Sequence, residues 1–235
     1  MNKLNNHVIV CGYGRNGRQA VRKLHAYGME YVVIEREDER IERLKREGIP
    51  WVQGDSTRDG VLEQAGVSKA SALITTLPSD AENLFVVLSA REYNKEMTLI
   101  ARASSENSER KFKSAGATNV IMPDKVGGAH MASLVVTPDV VEFLDHISVE
   151  GSAAINLEEV RVDEIPTQFQ MKSLIELGIR NVTGCNVIGF KTPEGDYVIN
   201  PAAETKLVPN SKLFVLGVPE QINKLNNLFL LDKND

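Results

Sequence analysis

From His7 to about Met122 the chain alternates short aliphatic, β-branched runs with segments of helical period. Strand candidates are 7–11 (HVIVC), 31–35 (YVVIE), 50–53 (PWVQ), 72–76 (ALITT), 98–102 (TLIAR) and 119–122 (NVIM). After the first, Ala20, Val21, Leu24 and Tyr27 recur with the spacing of one helix face. The run 84–90 (LFVVLSA) is apolar all round, which predicts a helix covered on more than one side. Strands separated by helices predict an α/β fold, a Rossmann-like doubly wound parallel sheet. Ligands of such sheets sit beyond the carboxyl ends of the strands, at the point where strand order reverses.

The pattern then changes. Positions 125–147 form one long apolar segment with Pro138 in its middle, so two helices with a bend at Thr137-Pro138 are expected. Met131, Leu134, Val135, Val136, Val140, Val141, Phe143, Leu144 and Ile147 are too many apolar residues for a helix crossing open solvent. A partner surface covers them, or they pack on the chain's own sheet. Beyond, 155–162, 186–190, 197–200 and 213–216 read as strands, 193–196 (PEGD) as a hairpin turn and 219–229 as a closing amphipathic helix. This is a small α+β module. The expected organisation is 1–124 for the nucleotide-binding lobe, 125–150 for crossing helices and 151–235 for the module, with the change near 148–152.

The candidate chemistry lies at the first strand–helix junction. Gly12-Tyr13-Gly14-Arg15-Asn16-Gly17 follows the first strand and opens a helix, and Glu35 ends the second strand 23 positions after Gly12. In a dinucleotide fingerprint the first glycine permits a tight turn, the second lets phosphate approach the backbone, and the third lets the helix pack against the strand. The helix N-terminus offers unpaired N–H groups to an anion; Arg15 is an added cation or a solvated side chain. Glu35 is placed to accept from a ribose diol, which favours NAD(H), ADP, ATP or AMP over NADP(H), although the adjacent Arg36 could accommodate a 2′-phosphate. Asp55, Ser56 and Thr57 either reach the adenine or ribose or cap a helix over 58–65. Thr76, Leu77 and Arg102 fall on the same rim, Arg102 with a structural ion pair as its alternative role. A nucleotide-free fold that keeps the glycines for packing alone is the competing reading.

Composition narrows the rest. With net charge −5 and basic residues interleaved with acidic ones over 36–47, the chain has no electrostatic footprint for a nucleic acid. Cys11 and Cys185 read as reduced buried thiols of a cytoplasmic protein. No run of about 18 apolar residues predicts a membrane span.

The segments HVIVCGYGRNGR (7–18), GDSTRDGVLEQAGV (54–67), ARASSENSERKFKSAGATNVIMP (101–123) and 171–217, from MKSLIELG to LFVLG, resemble the RCK family. These are the regulators of potassium conductance, with the related TrkA and KtrA subunits of potassium uptake systems. The resemblance implies a regulatory protein and not an enzyme. It implies pairing into homodimers, octameric rings under a potassium channel or transporter, and a gate pulled by ligand-dependent rearrangement of the ring. It makes 125–147 the subunit-crossing helices and brings the Arg102 position towards nucleotide phosphates. Some relatives bind calcium near the lobe boundary, where this chain has Glu158, Glu159, Asp163 and Glu164. Others bind cyclic di-AMP between paired C-terminal modules, here the neighbourhood of Arg180, Asn181 and 186–190. The chain carries no pore or selectivity-filter sequence; its opening resembles the join after a channel's last membrane helix. A cytosolic channel fragment at the inner face of the membrane is therefore expected, with a separate subunit as the alternative.

A NAD-dependent oxidoreductase is the rival of a different class. It needs a general acid or base near the nicotinamide. The four histidines, His7, His25, His130 and His146, all precede residue 147, and no tyrosine has a lysine four residues later.

Overall fold

A computed structural model describes residues 4–148 and 155–229. Residues 149–152 of the expected boundary lie outside them. The chain divides into two compact units, 1–133 and 134–235.

In the first unit the elements run β1 (Val8–Cys11), α1 (Arg15–Ala26), β2 (Tyr31–Glu35), α2 (Asp38–Arg46), β3 (Trp51–Gln53) and α3 (Asp59–Gln64). They continue with β4 (Ala72–Thr75), α4 (Asp80–Tyr93), β5 (Thr98–Arg102), α5 (Glu106–Ser114), β6 (Asn119–Ile121) and α6 (Pro123–Val136), which reaches past the division. The six strands form one parallel sheet in the order β3-β2-β1-β4-β5-β6, so strand order reverses between β1 and β4. Alternation along β1 feeds two cores. Val8 and Val10 pack with Val33, Val21 and Leu44 under α1 and α2. Ile9 and Cys11 pack with Leu73, Leu99, Leu62, Val86 and Phe112 on the opposite face. Because both faces are covered, β1 and β2 read as unbroken apolar runs.

Helix α4 differs from its expected burial. Val86, Val87 and Ala90 are buried, but Phe85 and Leu88 are half exposed on this chain. A helix laid on a single sheet has one covered face, and the i, i+3 pair Phe85 and Leu88 falls on the other.

Pro138 separates α6 from α7 (Pro138–Asp145) and occupies the first turn of α7, where its missing N–H costs nothing. Helix α6 has no buried residue. Of the apolar residues of α7, Val141 is buried, whereas Val140, Phe143 and Leu144 are exposed.

The second unit continues with β7 (Ile147–Ser148), β8 (Ile155–Arg161), α8 (Leu174–Leu177), α9 (Ile179–Thr183), β9 (Asn186–Lys191), β10 (Tyr197–Ile199), β11 (Lys212–Gly217) and α10 (Pro219–Phe229). Its sheet, β10-β9-β11-β8-β7, is antiparallel except for the β7–β8 edge. Val160, Phe190, Leu213 and Val215 pack against Ile222, Leu225 and Phe229 of α10. Periodicity does not reveal β7, α8 or α9, since each is under two helical turns or three strand residues. Ser173 and Glu176 nonetheless form a reciprocal capping box for α8.

Candidate functional site: a cleft over the glycine turn

A cleft of about 310 Å³ opens at the carboxyl ends of the parallel strands. Its lining includes Gly12, Gly14, Arg15, Asn16, Glu35, Arg36, Asp55, Ser56, Thr76, Leu77 and Arg102. The sequence scatters these residues over 91 positions; the reversal of strand order brings them to one rim.

The turn is built around two glycines. Gly12 sits at φ +91, a conformation that side-chain-bearing residues rarely adopt. Gly17 lets α1 approach so closely that a Cβ there would lie 2.0 Å from the Gly12 carbonyl oxygen. The Thr76 hydroxyl donates to the carbonyls of Cys11 (3.0 Å) and Gly12 (3.1 Å), fixing the turn from the neighbouring strand. Helix α1 begins after Gly14 with no side-chain cap and no acidic residue in its first turn. Its first N–H groups and the positive end of its dipole therefore face the cleft uncompensated. Arg15 is exposed at the lip and makes no ion pair among the described residues.

Glu35 is buried and bonded on both oxygens. Oε2 accepts from the Tyr13 N–H at 2.6 Å and from Arg40 at 3.4 Å; Oε1 accepts from the N–H groups of Arg36 (2.8 Å) and Glu37 (3.0 Å). It thus joins the glycine turn to the β2–α2 turn. Arg36 reaches across to Glu82 (3.4 Å) and Asp55 (3.9 Å). Asp55 accepts from the N–H and hydroxyl of Thr57 at 3.0 and 2.7 Å, and these bonds hold its carboxyl below the usual carboxylate range. Helix α3 has Arg58 as its N-cap, so Asp55 closes a local turn instead of capping that helix.

On the far wall, Asn83 is fully buried at the start of α4. Its Oδ1 accepts from the Thr75 hydroxyl (2.5 Å) and the Leu77 N–H (2.9 Å), and its Nδ2 donates to the carbonyls of Leu77 (2.9 Å) and Arg102 (3.1 Å). The Arg102 guanidinium donates to the carbonyls of Leu77 and Pro78 at 3.1 and 3.0 Å and forms no ion pair among the described residues.

A TrkA-N domain model matches residues 8–123 and a TrkA-C domain model matches 157–230. "Probable potassium channel protein 2" of Methanocaldococcus jannaschii is 34% identical over 231 residues, covering 96% of this chain and 67% of that protein. The chain belongs to the RCK family. It spans about two thirds of the length of that relative. Two solved structures resemble a little over half of it. The NAD(P)-binding domain of an exopolyphosphatase-related protein from Archaeoglobus fulgidus is 28% identical (TM-score 0.51), covering 57% of this chain and all of that one. GsuK bound to ADP is 28% identical (TM-score 0.50), covering 57% of this chain and 35% of that one.

Three residues of this RCK domain are placed otherwise than a ligand contact requires. The Tyr13 side chain turns into the core under α1, where its hydroxyl donates to Glu47 at 2.6 Å. Burial first, and then the Glu47 carboxylate, push that phenol up to about 12. Tyr13 meets the site only through its N–H, which Glu35 occupies. Gly17 and Thr57 lie behind the lining, one under the turn and the other on Asp55. Sequence reasoning missed Arg40, Glu37 and Pro78, which line the cleft, and Asn83, which braces it. Asn83 had a signal: a polar residue on the buried side of an otherwise apolar helix.

The acidic residues considered for calcium are dispersed. Glu159 pairs with Lys212 (2.6 Å), Glu164 with Arg161 (3.0 Å), and Asp163 accepts from the Asn210 N–H (2.9 Å). Among the described residues no three His, Cys, Asp or Glu side chains gather as metal ligands, so a hard cation finds no convergent oxygens here. No histidine lines the cleft among the described residues, and His7 is buried with its Nε2 2.8 Å from the Ala65 carbonyl.

Proposed function

We propose that this RCK domain binds NAD(H) or an adenine nucleotide in the cleft and passes the binding event to a potassium channel or transporter on the cytosolic side of the membrane. The bare N-terminus of α1 carries the reading: it is aimed into a cleft whose lip bears Arg15, without an ion pair among the described residues, and such an end suits a phosphate group. The names of the relatives agree with it, one a potassium channel protein, one NAD(P)-binding and one bound to ADP. Glu35, Glu37, Asp55 and Glu82 surround Arg36 and Arg40, so a 2′-phosphate meets more negative than positive charge there. Calorimetry with ADP, NAD⁺, NADH and NADPH tests the reading; absence of binding by all four refutes it. Sustained turnover of NADH with a carbonyl compound would show an enzyme instead.

Gly14→Ala separates ligand binding from folding. No atom lies within 4 Å of the Cβ position at Gly14, and its φ of −75 suits alanine. The melting temperature without ligand is expected to stay within about 2 °C of wild type, a change under roughly 0.5 kcal/mol. Nucleotide affinity is expected to fall at least tenfold, because the methyl occupies the line along which phosphate approaches the turn. Undiminished ADP affinity would show that the glycines serve packing alone.

The exposed apolar residues of α6 and α7 supply the route to the partner. Met131, Val135, Val136, Phe143 and Leu144 are exposed on this chain, and contiguous apolar surface marks an interaction site. We place the homodimer contact there, with four such pairs forming an octameric ring. In sedimentation velocity, Phe143→Asp and Leu144→Asp should convert dimers to monomers, since a carboxylate left unpaired in an interface costs about 3–5 kcal/mol. A dimer indifferent to both changes removes this surface from assembly.

A further inference from the structure

Glu35 accepts hydrogen bonds from four donors, and an ionised carboxylate offers roughly four lone-pair sites. A ribose hydroxyl that donates to Glu35 must therefore displace one of them. Three are backbone N–H groups of Tyr13, Arg36 and Glu37, fixed within the two turns that Glu35 joins. Driving off any of these would orphan a donor beside a buried carboxylate. Arg40 is the fourth. It is the only side-chain donor of the set, its 3.4 Å contact is the longest, and it is partly exposed. It also holds Glu37 Oε2 at 3.2 Å, so it can leave Glu35 and keep one carboxylate partner. Both Arg40 and Glu35 line the cleft.

We propose that Arg40 is a specificity-determining residue of the cleft: it occupies the acceptor site on Glu35 Oε2 that a ribose hydroxyl takes, and it swings aside on binding. The proposal rests on the reading of the cleft as a nucleotide site. Its consequence is that Arg40 lowers the value of a ribose diol to the site. A ligand with 2′- and 3′-hydroxyls must break the Arg40–Glu35 contact, whereas one lacking both leaves it intact.

The test compares ADP with 2′,3′-dideoxy-ADP by calorimetry on wild type and Arg40→Ala. Removing a cation from the cleft weakens both anionic ligands alike, so the readout is the ratio of their dissociation constants. The preference for ADP over the dideoxy analogue should rise about two- to fivefold in Arg40→Ala, the scale of a partly exposed ion pair. Arg40→Met, which keeps the aliphatic stem over α2, should give the same rise and serves if the alanine variant folds poorly. An unchanged or reduced ratio in a folded variant overturns the proposal and leaves nucleotide binding standing. Failure of wild type to bind either probe overturns the proposal, and it refutes the nucleotide reading as well when NAD⁺, NADH and NADPH also go unbound.

Discussion

Gly17→Ala is expected to leave the N-terminal unit unable to fold stably. The added methyl would sit 2.0 Å from the Gly12 carbonyl oxygen and 3.0 Å from both the Gly12 carbonyl carbon and the Thr76 hydroxyl. Two of these neighbours are backbone, so no rotamer change relieves the contact. Relief requires α1 to withdraw from the turn, which breaks the two Thr76 hydrogen bonds and opens the core around Val21. Ordinary overpacking costs about 1–3 kcal/mol. A clash against a pinned backbone belongs in the tail above about 4 kcal/mol, a large share of a domain's whole stability. Circular dichroism melts and soluble yield are the measurements. A variant melting within a few degrees of wild type would mean that α1 does not sit against the turn as described.

Glu35→Gln is expected to lower stability as well as ligand affinity. A strand-end carboxylate facing a ligand is expected from the sequence to be replaceable at little cost to the fold, and the observed burial removes that expectation. The carboxamide keeps one acceptor oxygen. Whichever way it turns, its NH₂ faces either the Tyr13 N–H and Arg40 or the N–H groups of Arg36 and Glu37. At least one buried donor is then opposed by another donor, at a cost of about 2–4 kcal/mol. For a chain of this size the melting temperature should drop on the order of 5–10 °C without ligand. An unshifted melt would show that the carboxylate does not hold the two turns together. For this reason Arg40, and not Glu35, is the position at which ribose recognition can be measured apart from folding.

How far the sequence can be read depends on the kind of signal. The central strands β1 and β2 are legible because each is covered on both faces and is apolar almost throughout, whereas β3 to β6 are legible from short β-branched runs between helical segments. The two helices around Pro138 are legible because proline has one comfortable place in a helix, the first turn. The cleft lining follows from the strand ends, since a parallel sheet sends every carboxyl end to one side. What the sequence hides is direction and saturation. Tyr13 lies inside the fingerprint, yet only the path of the chain decides that its ring turns away from the cleft. Arg40 looks like one more charge on a solvated helix until its guanidinium is seen on a buried carboxylate. The exposure of Phe85 and Leu88 was illegible too, because apolar content cannot say whether a helix is covered by its own chain or by another.

Asn83 turns a wall of the cleft and a helix into one mechanical piece. Its amide holds Leu77, Thr75 and the Arg102 carbonyl, and it stands in the first turn of α4. Beyond Asn83 the helix runs ten residues to Tyr93, about 15 Å at 1.5 Å per residue. A tilt of about 4° at the Asn83 fulcrum becomes about 1 Å at the Tyr93 end of that lever. Phe85 and Leu88 ride on its outer face, so the loop at the cleft wall cannot shift as a body without carrying those two side chains with it.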